Sequence, residues 1–222
     1  MSLVLDNISK SFYINNTKEK KVLQGISFNI NNGDLIAIRG KSGAGKSTLM
    51  HILGLLDYPT DGKYMVDDVD IFKKSDKYLA EIRNEKFGFV LQDFGLIEGE
   101  TVFNNVAVPL LLGKCKSREI RGIVESQLEK LGIIELMDTN VSLLSGGEKQ
   151  RVAIARAMVN KPEYIFADEP TGSLDGPNAQ NVMDILKKIN KEGCTVIVIT
   201  HDEQIAEQCR KIIYIEDGKL IS

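Results

Sequence analysis

The chain has 222 residues, with 28 lysines and arginines against 31 aspartates and glutamates for a formal charge of −3, and with 43% hydrophobic and 27% charged residues. That length accommodates one domain with a full core. The balance excludes a disordered, collagen-like or coiled-coil chain and argues against a protein that grips nucleic acid over a broad basic face. Cys115, Cys194 and Cys209, at irregular spacing beside only two histidines, fit neither a disulfide framework nor a zinc site; they are expected as small buried hydrophobes in a reducing compartment.

Residues 1–6 hold no basic segment followed by a long apolar stretch, so no secretory signal is expected. No apolar run reaches the length of a membrane span, about 18 residues. Short alternating strands are predicted over residues 4–8 and 22–30, separated by a polar, lysine-rich turn over 15–21. An Asn-Asn-Gly turn then leads to Leu35-Ile36-Ala37-Ile38, the kind of apolar run that a parallel strand covered on both faces needs.

Directly after that strand comes Gly40-Lys41-Ser42-Gly43-Ala44-Gly45-Lys46-Ser47-Thr48, followed by an apolar helical pattern over residues 49–53. This is a Gly-x4-Gly-Lys-Ser/Thr phosphate loop in its required strand–loop–helix context. The glycines let backbone N–H groups turn inward, and the helix N-terminus adds positive potential for an anion. Lys46 is placed to reach the β and γ phosphates of a nucleotide and Ser47 to ligate Mg²⁺. His51, on the helix beyond, reads as packing or as partly exposed.

From about residue 94 to 143 no strand run occurs, and Ile120, Ile123, Val124, Leu128 and Leu131 repeat at helical spacing, so this region reads as a helical insertion in a sheet domain. Within it, residues 94–97, 102–103 and 106–112 are apolar for a loop, which fits either packing of the insertion or a contact surface. Leu144-Ser145-Gly146-Gly147-Glu148-Lys149-Gln150-Arg151 then opens a helix of small residues. Its Ser-Gly-Gly element is a second anion-binding nest, while Ser145 and Glu148 also fit a capping box; the two readings are compatible.

The apolar run Tyr164-Ile165-Phe166-Ala167 ends in Asp168-Glu169, where an aspartate can orient a Mg²⁺ shell and a glutamate can polarise a water for attack on a γ phosphate. A helix with Val182, Ile185, Leu186 and Ile189 on one face stops near Gly193, and the strand Thr195-Val196-Ile197-Val198-Ile199 follows, with His201 just past its carboxyl end. Residues 211–221 read as a closing hairpin around Asp217-Gly218. Strand, helix and strand in this order imply an α/β core with a parallel sheet. A guanine-reading Asn-Lys-x-Asp is disfavoured, because its nearest match, Asn160-Lys161-Pro162-Glu163, ends in glutamate and precedes the acidic strand.

Taken together these motifs resemble an ATP-binding-cassette (ABC) ATPase over essentially the whole chain and in the family's order. Gly40 to Thr48 resembles the Walker A loop, Gln92 the glutamine of the Q-loop, and Leu144 to Gln150 the signature motif. Tyr164 to Glu169 resembles Walker B with its catalytic glutamate, Ser173-Leu174-Asp175 the D-loop, and His201 the switch histidine. The adenine-stacking aromatic falls at Phe12 or at neighbouring Tyr13. Nearer still, the runs 54–62, 144–148 and 166–175 are similar to the macrolide-exporter and lipoprotein-release (MacB/LolD-like) branch, which includes ATPases for antimicrobial-peptide and bacteriocin export or resistance.

The resemblance implies an α/β P-loop NTPase (RecA-like) core with a parallel sheet, an N-terminal antiparallel β-subdomain and an inserted α-helical subdomain. Residues 1–92 and 160–222 would form the catalytic core with the β-subdomain, and 93–159 the helical subdomain. It also implies ATP and Mg²⁺ as ligands. Glu169, His201 and Gln92 would be catalytic. Nucleotide would be held by Phe12, Gly40, Ser42, Gly43, Gly45, Lys46, Ser47, Thr48, Ser145, Gly146, Gly147, Glu148 and Asp175, and the metal by Ser47, Gln92 and Asp168. A second copy would complete each site head to tail, with Ser145 and Gly147 of one subunit and Lys46 of the other enclosing one ATP. The expected partner is an integral-membrane permease whose coupling helix meets the apolar insertion segment. The expected location is cytoplasmic, at the inner face of the cell membrane, with no span in this chain and no nucleic acid. The competing expectation is a soluble cassette ATPase of DNA repair or translation; the single phosphate loop, the absence of a coiled-coil or zinc insertion and the acidic charge weigh against it. A regulatory protein that binds ATP without turnover is disfavoured by the presence of Lys46, Asp168, Glu169 and His201 together.

Overall fold

The computed structural model describes residues 2–14 and 18–221. Strands β1 (Ser2–Ile14) and β2 (Lys18–Asn31) pair antiparallel, and β3 (Leu35–Arg39) leads through the glycine-rich loop into helix α1 (Lys46–Leu53). The chain continues through β4 (Asp61–Val66), β5 (Val69–Asp70), α2 (Asp76–Lys86) and β6 (Phe87–Val90). Three helices follow, α3 (Val102–Leu112), α4 (Ser117–Lys130) and α5 (Gly146–Met158). The remainder alternates as β7 (Tyr164–Asp168), α6 (Gly176–Lys191), β8 (Thr195–Thr200), α7 (Glu203–Ala206), β9 (Lys211–Glu216) and β10 (Lys219–Ile221).

Among the described residues two sheets form. One is antiparallel in the order β2-β1-β4-β5, and the other has the order β10-β9-β3-β8-β7-β6, parallel except for the β10 edge. The expected parallel core, antiparallel N-terminal sheet and helical insertion are all present. Every residue of β8 is buried, as are the first four of β3 and of β7, because helices or the other sheet cover both faces.

Three apolar clusters hold the parts together. The first lies between the antiparallel sheet, α1 and one face of the main sheet; the second packs α6 on the opposite face through Val182, Met183 and Leu186. The third belongs to α3, α4 and α5. Helix α5 bridges the last two, giving Ile154 and Ala157 to the sheet and Val152 and Ala155 to the insertion. Under the main sheet, Phe166 sits with Phe87 edge-on at 5.2 Å and Phe89 stacked at 5.6 Å between ring centroids. Truncating such a ring costs about 3–5 kcal/mol.

Some elements differ from expectation. The N-terminal strands run further than 4–8 and 22–30, and residues 18–21, read as turn, belong to β2; residues 15–17 of that turn lie outside the described residues. Of the apolar stretch read as loop, residues 94–97 are not helical but 102–112 form α3, because Val102, Val106 and Leu110 recur at helical spacing on its buried face and Thr101 Oγ1 caps its start by accepting from Asn104 N at 3.1 Å. Of the cysteines, Cys194 is buried, but Cys115 and Cys209 are only half-buried.

Candidate nucleotide site

The sheet register sets the site. Arg39 pairs with Thr200 and Ile199 with Asp168, so the chain leaves β3 at Gly40, β8 at His201 and β7 at Glu169 on the same level of three adjacent strands. These carboxyl ends open into a cavity of about 1410 Å³. It is lined by Gly40, Ser42, Gly43, Gly45, Lys46, Ser47, Thr48, Gln92, Asp168, Glu169, His201 and Phe12, all expected from the sequence.

Two glycines of the loop answer to geometry. A Cβ on Gly40 would stand 2.2 Å from Ile215 O of β9, and Gly45, at φ +101°, would bring one to 2.8 Å from Leu23 Cδ2 of β2. The loop is thus clasped by neighbours on both sides. The closing hairpin adds to the clasp, since Gly218 N donates to Ala44 O at 3.2 Å and Gln24 N donates to Gly218 O at 2.8 Å. Lys46 is buried, and its ammonium donates to Gly40 O at 2.8 Å and Lys41 O at 3.1 Å, so a positive charge sits inside the loop, held by two backbone carbonyls. An anion arriving there meets a preformed cationic pocket.

Across from the loop, burial first and the adjacent Glu169 charge second push the Asp168 carboxyl above its usual range; His51, Lys46 and Ser47 pull it back. The Asp168 carboxylate, with the Ser47 hydroxyl and the Gln92 amide lining the same cavity, is a hard-oxygen set that fits a Mg²⁺ bound together with phosphate. Among the described residues no group of three or more His, Cys, Asp and Glu forms a protein-only metal cage.

Glu169 lies at φ +44°, a left-handed conformation costly for a glutamate, on the order of 1–3 kcal/mol. The turn is held by its N–H donating to Ile199 O at 2.8 Å. Its Oε2 accepts from Thr200 Oγ1 at 3.2 Å, and its Oε1 accepts from His201 N at 3.1 Å with His201 Nδ1 2.7 Å away. Thr200 was not singled out in the sequence; its place one residue before His201 was the available signal. Arg39 was also missed. It lines the cavity, bonds Glu203 Oε1 at 2.7 Å and has its pKa raised by that contact.

The residues predicted as the second nest stand apart from this cavity. Ser145 caps α5 in a reciprocal box: Ser145 N donates to Glu148 Oε2 at 2.8 Å, and Glu148 N donates to Ser145 Oγ at 3.4 Å. The Ser145 hydroxyl, donating to Glu148 Oε2 at 2.6 Å, and then the Ser145 amide hold the Glu148 carboxyl below its usual range. A Cβ on Gly147 would come within 2.8 Å of Asn178 Oδ1 of α6, whose N-cap is Asp175. Ser145, Gly146, Gly147, Glu148 and Asp175 line no part of the cavity. Of the two aromatic candidates, Phe12 lines it, with Lys10 Nζ 5.0 Å from its ring centroid, and Tyr13 does not.

A separate groove of about 700 Å³ lies between the sheet edge and the insertion. Its apolar lining includes Leu56, Phe89, Val108, Pro109 and Leu112, and Arg83, Asn84 and Arg156 are among its polar residues. The apolar segment whose reading was open therefore divides by face: Val106 and Leu110 pack inward, while Val108 and Leu112 line the groove.

Comparison with known proteins bears on both features. The family model for the ABC transporter matches residues 23–172. The chain is 45% identical over 219 residues to the uncharacterized ABC transporter ATP-binding protein YvrO of Bacillus subtilis, covering 99% of this chain and 95% of that protein. It is 42% identical over 218 residues to the macrolide export ATP-binding/permease protein MacB of Bdellovibrio bacteriovorus, covering 98% of this chain but 33% of the relative, so it spans about a third of that protein. Its structure superimposes with a TM-score of 0.91 and 37% identity, covering 99% of this chain and 97% of the other, on the ATP-binding cassette MJ0796 in a dimeric post-hydrolysis state bound to ADP and Pi.

Proposed function

The chain belongs to the ABC transporter family of ATP-binding proteins, and on that premise we propose that it hydrolyses Mg-ATP as a head-to-tail dimer to drive a separate membrane permease. The branch is that of the macrolide-export ATPases, and the cargo class a peptide, drug or lipid-type molecule moved outward. The observation that carries the dimer is the separation just described: the phosphate loop, Asp168, Glu169 and His201 converge in one cavity, while the Ser145–Gly147 nest faces elsewhere. A second copy is the economical source of that nest. The dimeric state of MJ0796 and the joined ATP-binding and permease parts in the name of MacB support the same arrangement.

In this mechanism the loop amides and Lys46 bind the β and γ phosphates, and Phe12 stacks on adenine through its π face. Ser47, Asp168 and Gln92 would hold Mg²⁺, which when bound neutralises charge developing on the phosphates. Glu169 accepts a proton from the attacking water, and His201 contacts the γ phosphate. ATP favours the closed dimer by its extra contacts there, and loss of the γ phosphate after hydrolysis removes them. Asp175 and Glu148 lie at the edges of that interface.

The groove between sheet edge and insertion is the proposed seat of the permease's coupling helix, at the inner face of the cell membrane. Among the described residues no helix is long and apolar enough to cross a membrane. The alternative of a nucleic-acid ATPase finds no support in the relatives above. Nucleotide binding and phosphate release by Lys46→Ala test the site directly: loss of both is expected, and unchanged affinity and turnover would refute the assignment.

A further inference from the structure

Gln92 sits at the corner of a tight turn, because Phe94 N donates to Leu91 O at 3.0 Å and leaves Gln92 and Asp93 as the central residues. The next two residues, Phe94 at φ +63° and Gly95 at φ +55°, are both left-handed. Arg156 of α5, 61 positions further along the chain, gathers their carbonyls: its guanidinium donates to Gly95 O at 2.5 Å and Phe94 O at 2.8 Å. The two donors of one planar fork span two consecutive carbonyls, a geometry that a lysine ammonium cannot reproduce. Beyond this turn the segment is fastened again, as buried Asn105 of α3 accepts from Ile97 N at 2.7 Å and donates to Ile97 O at 3.2 Å. Arg156 also lines the groove between sheet edge and insertion. Keeping a charged guanidinium with little water around it is costly: burial lowers its pKa, and the Asp93 carboxylate offsets part of that.

We propose that Arg156 is the positioning residue for Gln92, fixing the Leu91–Phe94 turn through the carbonyls of Phe94 and Gly95. The proposal rests on the role given to Gln92 above. Without the fork, the turn and with it the Gln92 amide move relative to the phosphates, and an ångström of misplacement costs roughly 10- to 100-fold in rate. Nucleotide affinity, which the phosphate loop supplies, is unaffected.

The test compares Arg156→Gln and Arg156→Lys with the parent chain, measuring turnover, binding of a fluorescent ATP analogue, half-saturation by Mn²⁺ and amide hydrogen exchange over residues 91–97. Expected for Arg156→Gln are a loss of roughly 10-fold or more in kcat, analogue affinity within about 3-fold, weaker Mn²⁺ saturation and faster exchange in that segment, with Arg156→Lys intermediate. The loss should vanish in a Gln92→Ala background, since residues acting through one another are not additive. Full additivity there, or a folded Arg156→Gln chain with normal kcat and Mn²⁺ saturation, would overturn the proposal. If Arg156→Gln does not fold, Gly95→Ala takes its place in the same cycle; its Cβ would press on Leu91 Cδ1 at 2.9 Å and Arg156 at 3.4 Å, loosening the turn from the other side. A Gln92→Ala chain with unchanged turnover would instead refute the role given to Gln92, a result that exchange over 91–97 separates from failure of the Arg156 contact itself.

Discussion

Glu169 Oε1 stands 2.7 Å from His201 Nδ1 while Thr200 Oγ1 donates to Glu169 Oε2 at 3.2 Å, so both oxygens of the carboxylate are engaged by the strand that ends beside it. The contact links the two groups to which the mechanism gives the water and the γ phosphate. It also orients a carboxylate whose side chain is only 13% exposed, against 70% for His201. In the mechanism proposed above, the exposure of His201 leaves its imidazole free to turn from Glu169 toward the phosphate.

Replacing Glu169 by Gln keeps the shape and an acceptor oxygen for the His201 amide while removing the base. Turnover should fall by roughly 10²- to 10⁴-fold, with ATP still bound. Phosphate release together with nucleotide retention on a desalting column checks both halves; turnover within a few-fold of the parent would remove Glu169 from the base position.

The α5 cap carries a pH signature. Hydrogen bonds from Ser145 hold the Glu148 carboxyl below the ordinary value of 4.5. A carboxylate depressed in the folded state stabilises it above the unfolded-state value and loses that contribution as the pH falls through the folded one. Glu148→Ala should therefore melt at lower temperature than the parent at pH 7, and the gap should close as the pH falls below about 4.5. Thermal scans across that range decide it; a gap independent of pH would mean that the carboxylate charge plays no part in the cap.

The two neighbouring aromatics, Phe12 and Tyr13, should part company. Phe12→Ala should weaken ATP binding by about 1–3 kcal/mol, the usual worth of stacking a base on an aromatic ring, and Tyr13→Ala should leave it nearly unchanged. Titration with ATP and with inorganic triphosphate distinguishes stacking from phosphate effects, because only the former should respond to Phe12.

What could be read in advance follows from whether the information was local. The phosphate loop, the Asp168-Glu169 strand end and the Ser145 cap are contiguous runs, and their placement needed only strand and helix periodicity. Strand β6 escaped notice because Phe87-Gly88-Phe89-Val90 is short and interrupted by glycine. That glycine answers to a distant neighbour, since its Cβ would lie 2.4 Å from Ala157 O of α5. Helix α3 was obscured by apolar residues on both faces and by Pro109 within it. The ties of Thr200 to Glu169 and of Arg156 to Phe94 and Gly95 join residues 31 to 62 positions apart, and no spacing rule encodes them.

The central claim is that one ATP is enclosed by the phosphate loop of one copy and the Ser145 nest of another. Light-scattering mass of Glu169→Gln with and without Mg-ATP tests it most directly. The account predicts a shift from the 24.6 kDa chain mass to twice that value on adding ATP, abolished when Ser145→Arg is introduced into the same chain. A Glu169→Gln chain that stays monomeric at saturating ATP, or a dimer indifferent to Ser145→Arg, would contradict it.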